Sequence, residues 1–401
     1  MHDLVVVGGG PAGASCARAA ALGGLDVVLI EKAIHPRKKL CAGALTRRVT
    51  GLVDFDIEPA TELRFSGGRM YSRTGTCIDF KLDEQSSGYL VKRPRFDNYL
   101  LKKAIDAGVE VVQGTEAVTV EQLKSGIRVL TVGDSYKAHL LVGADGVNGI
   151  IAKNVGLRGR WKSDEVALCI AADIPVEEED VKRCMSLSNS DVSMGVDIHF
   201  GLLEMGYGWC FPKKDELNVG IGARMDKAAD LRSRWRKFVR RLEDQKELKF
   251  DLSKQSAFRV PFGVPKIPLV TRRTMLVGDA AGLVSPLSGE GIYYAIKSGI
   301  MAAQFACEAA EMKTPFHVME YGKAIRKDIL IELSAAEYLA NILYRSIKNI
   351  DLMLQIAQDD LIMREYIIHF MAGARSFQDL RKDISRRMLA RHPIKALKLR
   401  F

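Results

Sequence analysis

Cysteine is scarce and unpaired in this chain of 401 residues: there are seven, an odd number, and no two form a Cys-x-x-Cys pair. That argues against a disulfide framework, a zinc ribbon and an iron–sulfur cluster, and makes a reducing cytosol the expected setting. Nowhere do about 18 uncharged apolar residues run together, so no transmembrane helix is expected. Only Met1, His2 and Asp3 precede the first apolar run, without the basic stretch that opens a signal peptide. Internal repeats and low-complexity linkers are also missing. What is present is ordinary for a globular protein, with 47% hydrophobic and 27% charged residues, and this excludes disorder and collagen. The length suggests roughly two to four units of 100–200 residues each. Two excesses remain. The net charge of +10 favours an anionic partner, whether nucleic acid, a membrane surface or a phosphorylated substrate. The 35 glycines suggest places where backbone approaches a ligand.

The glycines are not evenly spread. Leu4 to Val7 reads as a buried strand, and an Ala-rich helix follows Gly13. A second strand, Asp26 to Ile30, ends at Glu31, completing a βαβ unit. Residues 60 to 90 read as a β-meander, and Phe96 to Ala107 as a helix. Strands are expected at 109–112, 117–121, 127–132 and 140–142, and a strand-like pattern from Val166 to about Gly222. Leu231 to Lys249 reads as a basic amphipathic helix, Thr274 to Val277 as a buried strand, and residues from 316 onward as helical.

The motif Gly8-x-Gly10-x-x-Gly13 sits between strand and helix, the context a dinucleotide needs. Gly8 permits the tight turn, Gly10 lets a pyrophosphate approach the backbone, and Gly13 allows close helix–strand packing. The helix N-terminus supplies free N–H groups for the phosphates. Glu31 can accept hydrogen bonds from ribose hydroxyls, which disfavours a 2′-phosphate and hence NADP at this site. A second loop runs Gly278-Asp279-Ala280-Ala281-Gly282, then Ser288-Gly289-Glu290-Gly291-Ile292. A nicotinamide enzyme has no use for it, but a flavin does. Asp279 can accept from the ribityl chain, and the N–H groups of Gly291 and Ile292 can hold charge that a reduced ring carries.

With both loops in place, the chain resembles the FAD-dependent geranylgeranyl reductase family, a branch of the glutathione-reductase-type flavoproteins. Three further segments carry the resemblance. Lys39-Leu40-Cys41-Ala42-Gly43-Ala44 resembles the family segment that lies along the flavin. Val91-Lys92-Arg93-Pro94-Arg95-Phe96-Asp97 resembles a stretch whose first arginine, Arg93, contacts FAD. Tyr207-Gly208-Trp209-Cys210-Phe211-Pro212 is similar to the signature over the prenyl cavity, although Glu204 stands where the family's longer signature has proline. Val142-Gly143-Ala144-Asp145-Gly146 resembles a hydroxylase motif, but Asn148-Gly149-Ile150 depart from its continuation, and Asp145 is given a structural role.

The resemblance implies an α/β fold: a glutathione-reductase-type FAD-binding domain split over 1–60, 90–160 and 265–315, an inserted antiparallel substrate sheet from 61–89 and 161–264, and a helical C-terminal region, 316–401. It implies noncovalent FAD, a prenylated lipid or other geranylgeranyl substrate, and reduction of C=C bonds. The sequence does not show the external reductant; NAD(P)H and ferredoxin are the two candidates, so an electron-donor protein is one partner class, and nucleic acid is not expected as a partner. The cofactor candidates are Gly8, Gly10, Gly13, Glu31, Cys41, Ala42, Gly43, Ala44, Arg93, Ala117, Asp279, Gly291 and Ile292, and the substrate candidates are Tyr207, Trp209 and Phe211. Cys41 is also the catalytic candidate; its thiol can tune the flavin, relay a proton or simply pack.

Some readings stay open. Tyr207, Trp209 and Phe211 share one face at period two, which suits a core strand as well as a cavity wall. His199 is read as a satisfied core or surface histidine in preference to a residue near the cavity. The tail combines Arg381, Lys382, Arg386, Arg387, Arg391, Lys395, Lys398 and Arg400 with Met388, Leu389, Ile394, Leu397, Leu399 and Phe401. That pattern suits either an anionic membrane or a solvated helix face, and a cytoplasmic, peripherally membrane-associated protein is the expectation. A flavin monooxygenase of the aromatic-hydroxylase type and a membrane-associated electron-transfer flavoprotein are the rival readings.

Overall fold

A computed structural model describes residues 1–187 and 194–399. His2–Val7 lies inside a seven-stranded sheet, parallel to Val27–Glu31 on one side and Ser135–Gly143 on the other. Both faces of these strands are covered, which is why they read as continuous apolar runs. Thr274–Leu276 also pairs in parallel with Ser135–Gly143, so the two glycine-rich loops leave the same end of one sheet. The helices that follow the loops, Pro11–Leu22 and Ile292–Glu311, pack together at Gly299, where a Cβ would come within 2.2 Å of the Ala12 carbonyl.

The second sheet has nine strands. Its order runs Ser256–Pro261, Val166–Pro175, Glu216–Arg224, Gly206–Pro212, Met194–Phe200, Leu63–Tyr71, Gly88–Leu90, Ala44–Leu45, with Cys77–Lys81 beside Leu63–Tyr71. All neighbours are antiparallel except Met194–Phe200 and Leu63–Tyr71. The amphipathic helix Leu231–Lys246 covers one face through Trp235, Phe238 and Leu242. The C-terminal helices cover the other: residues from Ala335 to Leu399 share a core with Phe65, Ile198, Trp209 and Phe211. The earlier part of the helical region, through Leu333, belongs to the core of the first sheet.

Four features depart from the sequence expectation. The strands of residues 60 to 90 do not pair in chain order as a meander would, because Leu63–Tyr71 pairs with both Cys77–Lys81 and Gly88–Leu90. Glu178–Met185 is a helix inside the strand-like run, and its start is marked by Glu178, Glu179 and Asp180 set against the helix dipole. Ser256–Pro261 is an additional edge strand. The strand expected at 140–142 begins at Ser135, because its polar first half pairs with Ile127–Thr131 on a sheet margin facing water. Among the described residues no helix is long and apolar enough to cross a membrane. Arg400 and Phe401 of the basic tail lie outside the described residues.

Candidate active site

One cavity is lined by Gly10 to Ala12, by Lys39 to Ala44, by Asp279, by Ser288 to Ile292, and by aromatic residues of the second sheet. The glycines of the first loop divide their labour. Gly8 has φ +109, and a Cβ there would meet the Ala144 carbonyl oxygen at 2.3 Å. A Cβ on Gly13 would sit 1.8 Å from the Gly8 carbonyl oxygen. Gly10 has no such neighbour; its nearest is the Arg37 guanidinium at 3.5 Å, and it lines the cavity. Two of the glycines therefore close the loop, and the third keeps its ligand side open. No side chain caps the helix Pro11–Leu22, so its first N–H groups remain for a phosphate.

Glu31 is buried, and its carboxylate accepts from the Gly9 N–H at 2.5 Å and the Ala33 N–H at 2.9 Å. In this structure it braces the loop. Ala117 departs from its expected place: it packs in the core of the first sheet and is not among the cavity-lining residues, because its strand joins the Ile127–Thr131 hairpin.

Asp279 opens the short helix Gly278–Ala281, with the Lys39 ammonium 3.6 Å from its carboxylate. Gly291 precedes Ile292–Glu311 with no side-chain cap, and a Cβ on it would lie 3.8 Å from Asp279 Oδ1. An acceptor for hydroxyls and a set of free N–H donors thus share one wall. Glu290 between them accepts from the Thr46 hydroxyl at 2.6 Å and pairs with Arg48, whose guanidinium lies 4.0 Å from the Tyr293 ring centroid.

The segment Cys41 to Ala44 is held from behind. Gly43 has φ +70, and a Cβ would strike the Val91 carbonyl at 2.2 Å. Val91 N–H donates to the Gly43 carbonyl at 2.8 Å, and Gly43 N–H approaches Cys41 Sγ at 3.4 Å. Arg93 lines the cavity, but its fork is spent on Asp97, with Nε and Nη2 donating at 2.7 and 2.8 Å. Burial opposes the charge on Arg93, yet Asp97 and the Cys41 thiol more than offset this and raise its pKa. Burial likewise opposes ionisation of Asp97, and Arg93, Arg37 and Lys39 hold its carboxyl below the usual range.

Tyr207, Trp209 and Phe211 all line the cavity, while Cys210 points into the opposite core. Cavity wall and core prove to be the same face. The Tyr207 hydroxyl donates to the Ser288 carbonyl at 2.7 Å, tying the aromatic strand to the second glycine loop. The indole N–H of Trp209 donates to Asn218 at 2.7 Å, and the Asn218 amide to Asp173 at 2.6 Å.

His199 lies on the other face, stacked on Tyr71 at 4.5 Å and edge-on to Phe238. It is not satisfied as expected: neither ring nitrogen has a partner, and burial lowers its pKa to about 3, leaving it neutral. Glu204 pairs with Lys227 at 3.3 Å and does not line the cavity, so the departure from the family signature leaves the wall intact. Asp145 accepts from the N–H groups of Ile150 and Ile151 at 2.6 and 2.8 Å, which makes it a turn-forming residue.

Residues 1–306 match the family model described as FAD binding domain. The chain is also 31% identical, over 78% of its own length and 78% of the relative's, to a digeranylgeranylglycerophospholipid reductase from Methanocaldococcus jannaschii. The chain belongs to the FAD-dependent geranylgeranyl reductase family. The chloroplastic geranylgeranyl diphosphate reductase of Nicotiana tabacum is 28% identical over 95% of this chain and 84% of that one. A geranylgeranyl bacteriochlorophyll reductase-like protein from Thermoplasma acidophilum shares the fold, with a TM-score of 0.81 at 23% identity over 100% of this chain and 98% of that one. As a member of this family the protein is a flavoprotein that binds FAD. The open cradle at Gly10 and the placing of Asp279 beside the uncapped helix start at Gly291 fit that group.

Two participants escaped the sequence reading. Glu290 was visible only as part of a motif, since its partners Thr46 and Arg48 are remote in sequence. Lys213 stands at the end of the aromatic strand, two residues beyond Phe211. It does not line the cavity itself, but its ammonium reaches the carbonyl of Ala42, which does, a contact between segments far apart in sequence.

Proposed function

We propose that the protein reduces C=C bonds of geranylgeranyl chains on membrane-lipid precursors or related prenylated compounds. The observation that carries this reading is one continuous cavity in which Asp279 and Gly291 share walls with Tyr207, Trp209, Phe211, Phe65 and Phe80. Bound FAD would supply the two-electron chemistry. The chain's own residues do the rest. The Gly10 loop and its helix hold the pyrophosphate, and Asp279 accepts from the ribityl hydroxyls. The aromatic walls exclude water and align an alkene that nothing else polarises, so positioning and desolvation must provide most of the acceleration. The relatives' names support a prenyl chain as substrate, and the first of them a glycerophospholipid carrier. Lipids from cells expressing the protein should gain two mass units per reduced bond; an unchanged lipid profile with FAD-loaded protein present would contradict this reading.

Asp279→Ala and Gly10→Val should both fold and both purify with little flavin. The first loses the ribityl acceptor, and the second fills the only ligand-facing glycine of the loop. Absorbance near the flavin band per folded protein checks this, and full occupancy in Gly10→Val would remove the first loop from the FAD site.

An anionic membrane surface is the proposed docking partner, in a cytoplasmic setting. Leu361, Leu389, Ile394 and Leu397 are 71%, 62%, 72% and 81% exposed. The Asp360 carboxylate accepts from Arg387 and from His392 at 2.9 Å, tying the helix that begins at Leu361 to the tail. Arg386, Arg391 and Lys398 are exposed beside these apolar residues. Deleting the tail is a poor test, because Leu380, Ile384, Met388 and Leu399 are core. Reversing Arg386, Arg391 and Lys398 to Glu removes at least about 3 kcal/mol of attraction, at about 1 kcal/mol per basic residue. Binding to anionic vesicles should fall on the order of a hundredfold and should fall with salt in the wild type. Equal sedimentation of both proteins at low salt would remove this surface from the account.

A further inference from the structure

Three Lys or Arg side chains are buried among the described residues: Arg93, Lys213 and Lys246. Two of them meet a carboxylate. Arg93 forks onto Asp97, and Lys246 reaches Asp197 at 2.5 Å. Lys213, only 2% exposed, has no carboxylate within ion-pairing distance among the described residues. Its ammonium donates to the Ala42 carbonyl at 2.7 Å, while Cys41, Glu216, Asp173 and Glu62 act on it from farther away. Glu216 is engaged by Lys92 at 3.5 Å, and Asp173 accepts from Asn218. Burial accordingly lowers the Lys213 pKa to about 8.

A cation in this position is unfavourable, since a buried ion forfeits its hydration unless something compensates it. An unbranched apolar side chain such as Met would occupy the space without that penalty. The place of the charge suggests what compensates it. Lys213 Nζ would lie 3.3 Å from a Cβ on Gly43, directly behind the Cys41 to Ala44 segment that lines the cavity. The segment is also held by Val91, whose N–H donates to the Gly43 carbonyl and whose own carbonyl crowds the same face of Gly43 as the ammonium.

We propose that Lys213 is a positioning residue of the flavin site whose fixed positive charge stabilises the negative charge that the isoalloxazine ring carries once it has been reduced. This rests on the FAD reading above. The balance is simple. A nicotinamide or ferredoxin-class donor provides two electrons, one proton is taken up at N5, and one negative charge remains over N1 and the C2 carbonyl. No bond to Lys213 forms or breaks. The side chain acts across the Ala42–Gly43 backbone and does not touch the reacting atoms.

The test uses the FAD-loaded wild type with Lys213→Met and Lys213→Gln. Met removes charge and donor together, whereas Gln removes the charge but retains an N–H that can reach Ala42. Two readouts besides turnover are available: the flavin midpoint potential in a dithionite titration, and the affinity for sulfite. Sulfite adds its electron pair to N5 of the oxidised ring and leaves the same negative charge behind. Both variants should disfavour two-electron reduction at least tenfold, a fall of about 30 mV, and should weaken sulfite binding at least tenfold. The flavin-free Lys213→Met protein should melt no lower than the wild type. Unchanged potential and sulfite affinity in both variants would overturn the proposal. So would a shift in Met with none in Gln, since the hydrogen bond rather than the charge would then matter. Failure of both variants to fold or to hold oxidised FAD would likewise overturn it, by making the ammonium structural. A wild type without FAD would instead overturn the reading on which this rests.

Discussion

Asp97→Ala should lose about 3–5 kcal/mol of stability, the typical result of removing one partner from a buried ion pair. Asp97 is fully buried; it accepts both arms of the Arg93 fork and forms an ion pair with Arg37, whose Nη2 lies 3.1 Å away. The substitution strands Arg93 as an unpaired guanidinium on the cavity wall, so flavin content should fall too. The urea midpoint at unchanged slope measures the first effect and flavin absorbance the second. Removing both partners, in Asp97→Leu with Arg93→Met, should recover most of the stability and none of the flavin content. The pH dependence has a definite sign. The native environment holds the Asp97 pKa below its unfolded value near 4. The pair's contribution is therefore complete above that value and is lost as pH falls through the folded pKa. The wild type should weaken in acid more steeply than the double variant. An Asp97→Ala protein as stable as the wild type would show that the pair contributes nothing.

Trp209→Phe should lower turnover on a geranylgeranyl substrate by about a hundredfold, because small displacements of reacting atoms carry costs of that size. It should also lower stability, by about 1–3 kcal/mol. The indole N–H donates to buried Asn218, whose side chain continues to Asp173, and Phe leaves that oxygen without its donor. The ring also lies over Gly220, where a Cβ would come within 2.2 Å of it. Gly220→Ala therefore shifts the indole without removing it, and turnover should again fall while the hydrogen-bonding groups remain. Turnover per FAD-loaded molecule and melting temperature, measured on the same preparation, read the two effects separately. Unchanged turnover in both variants would take Trp209 off the reacting surface.

The first sheet was legible because its strands are buried on both faces and its glycines mark loops no other residue can form. Gly8 and Gly13 are required by contacts of 2.3 and 1.8 Å, so they stand out in any reading of the chain. The aromatic strand was legible as a face through its period of two. What that face met was not, because the cavity closes only when Tyr344 and Ala372 arrive from the C-terminal helices. Glu31 illustrates a different limit. Its place after the second strand suggested a ribose acceptor, while its bonds to Gly9 and Ala33 appear only in three dimensions. The helix Glu178–Met185 was hidden by the strand pattern around it, although its acidic first turn was a start signal. The charge on Lys213 was plain in the sequence, but its burial against Ala42 and Gly43, about 170 residues away, was not.

The most direct test of the account is anaerobic. FAD-loaded protein, reduced with dithionite, is mixed with a geranylgeranyl lipid and the product is weighed by mass spectrometry. The account predicts reoxidised flavin and a lipid heavier by two mass units for each double bond reduced, with no need for dioxygen. Flavin that reoxidises only when dioxygen is admitted, with the lipid unchanged or carrying an added oxygen atom, would contradict it.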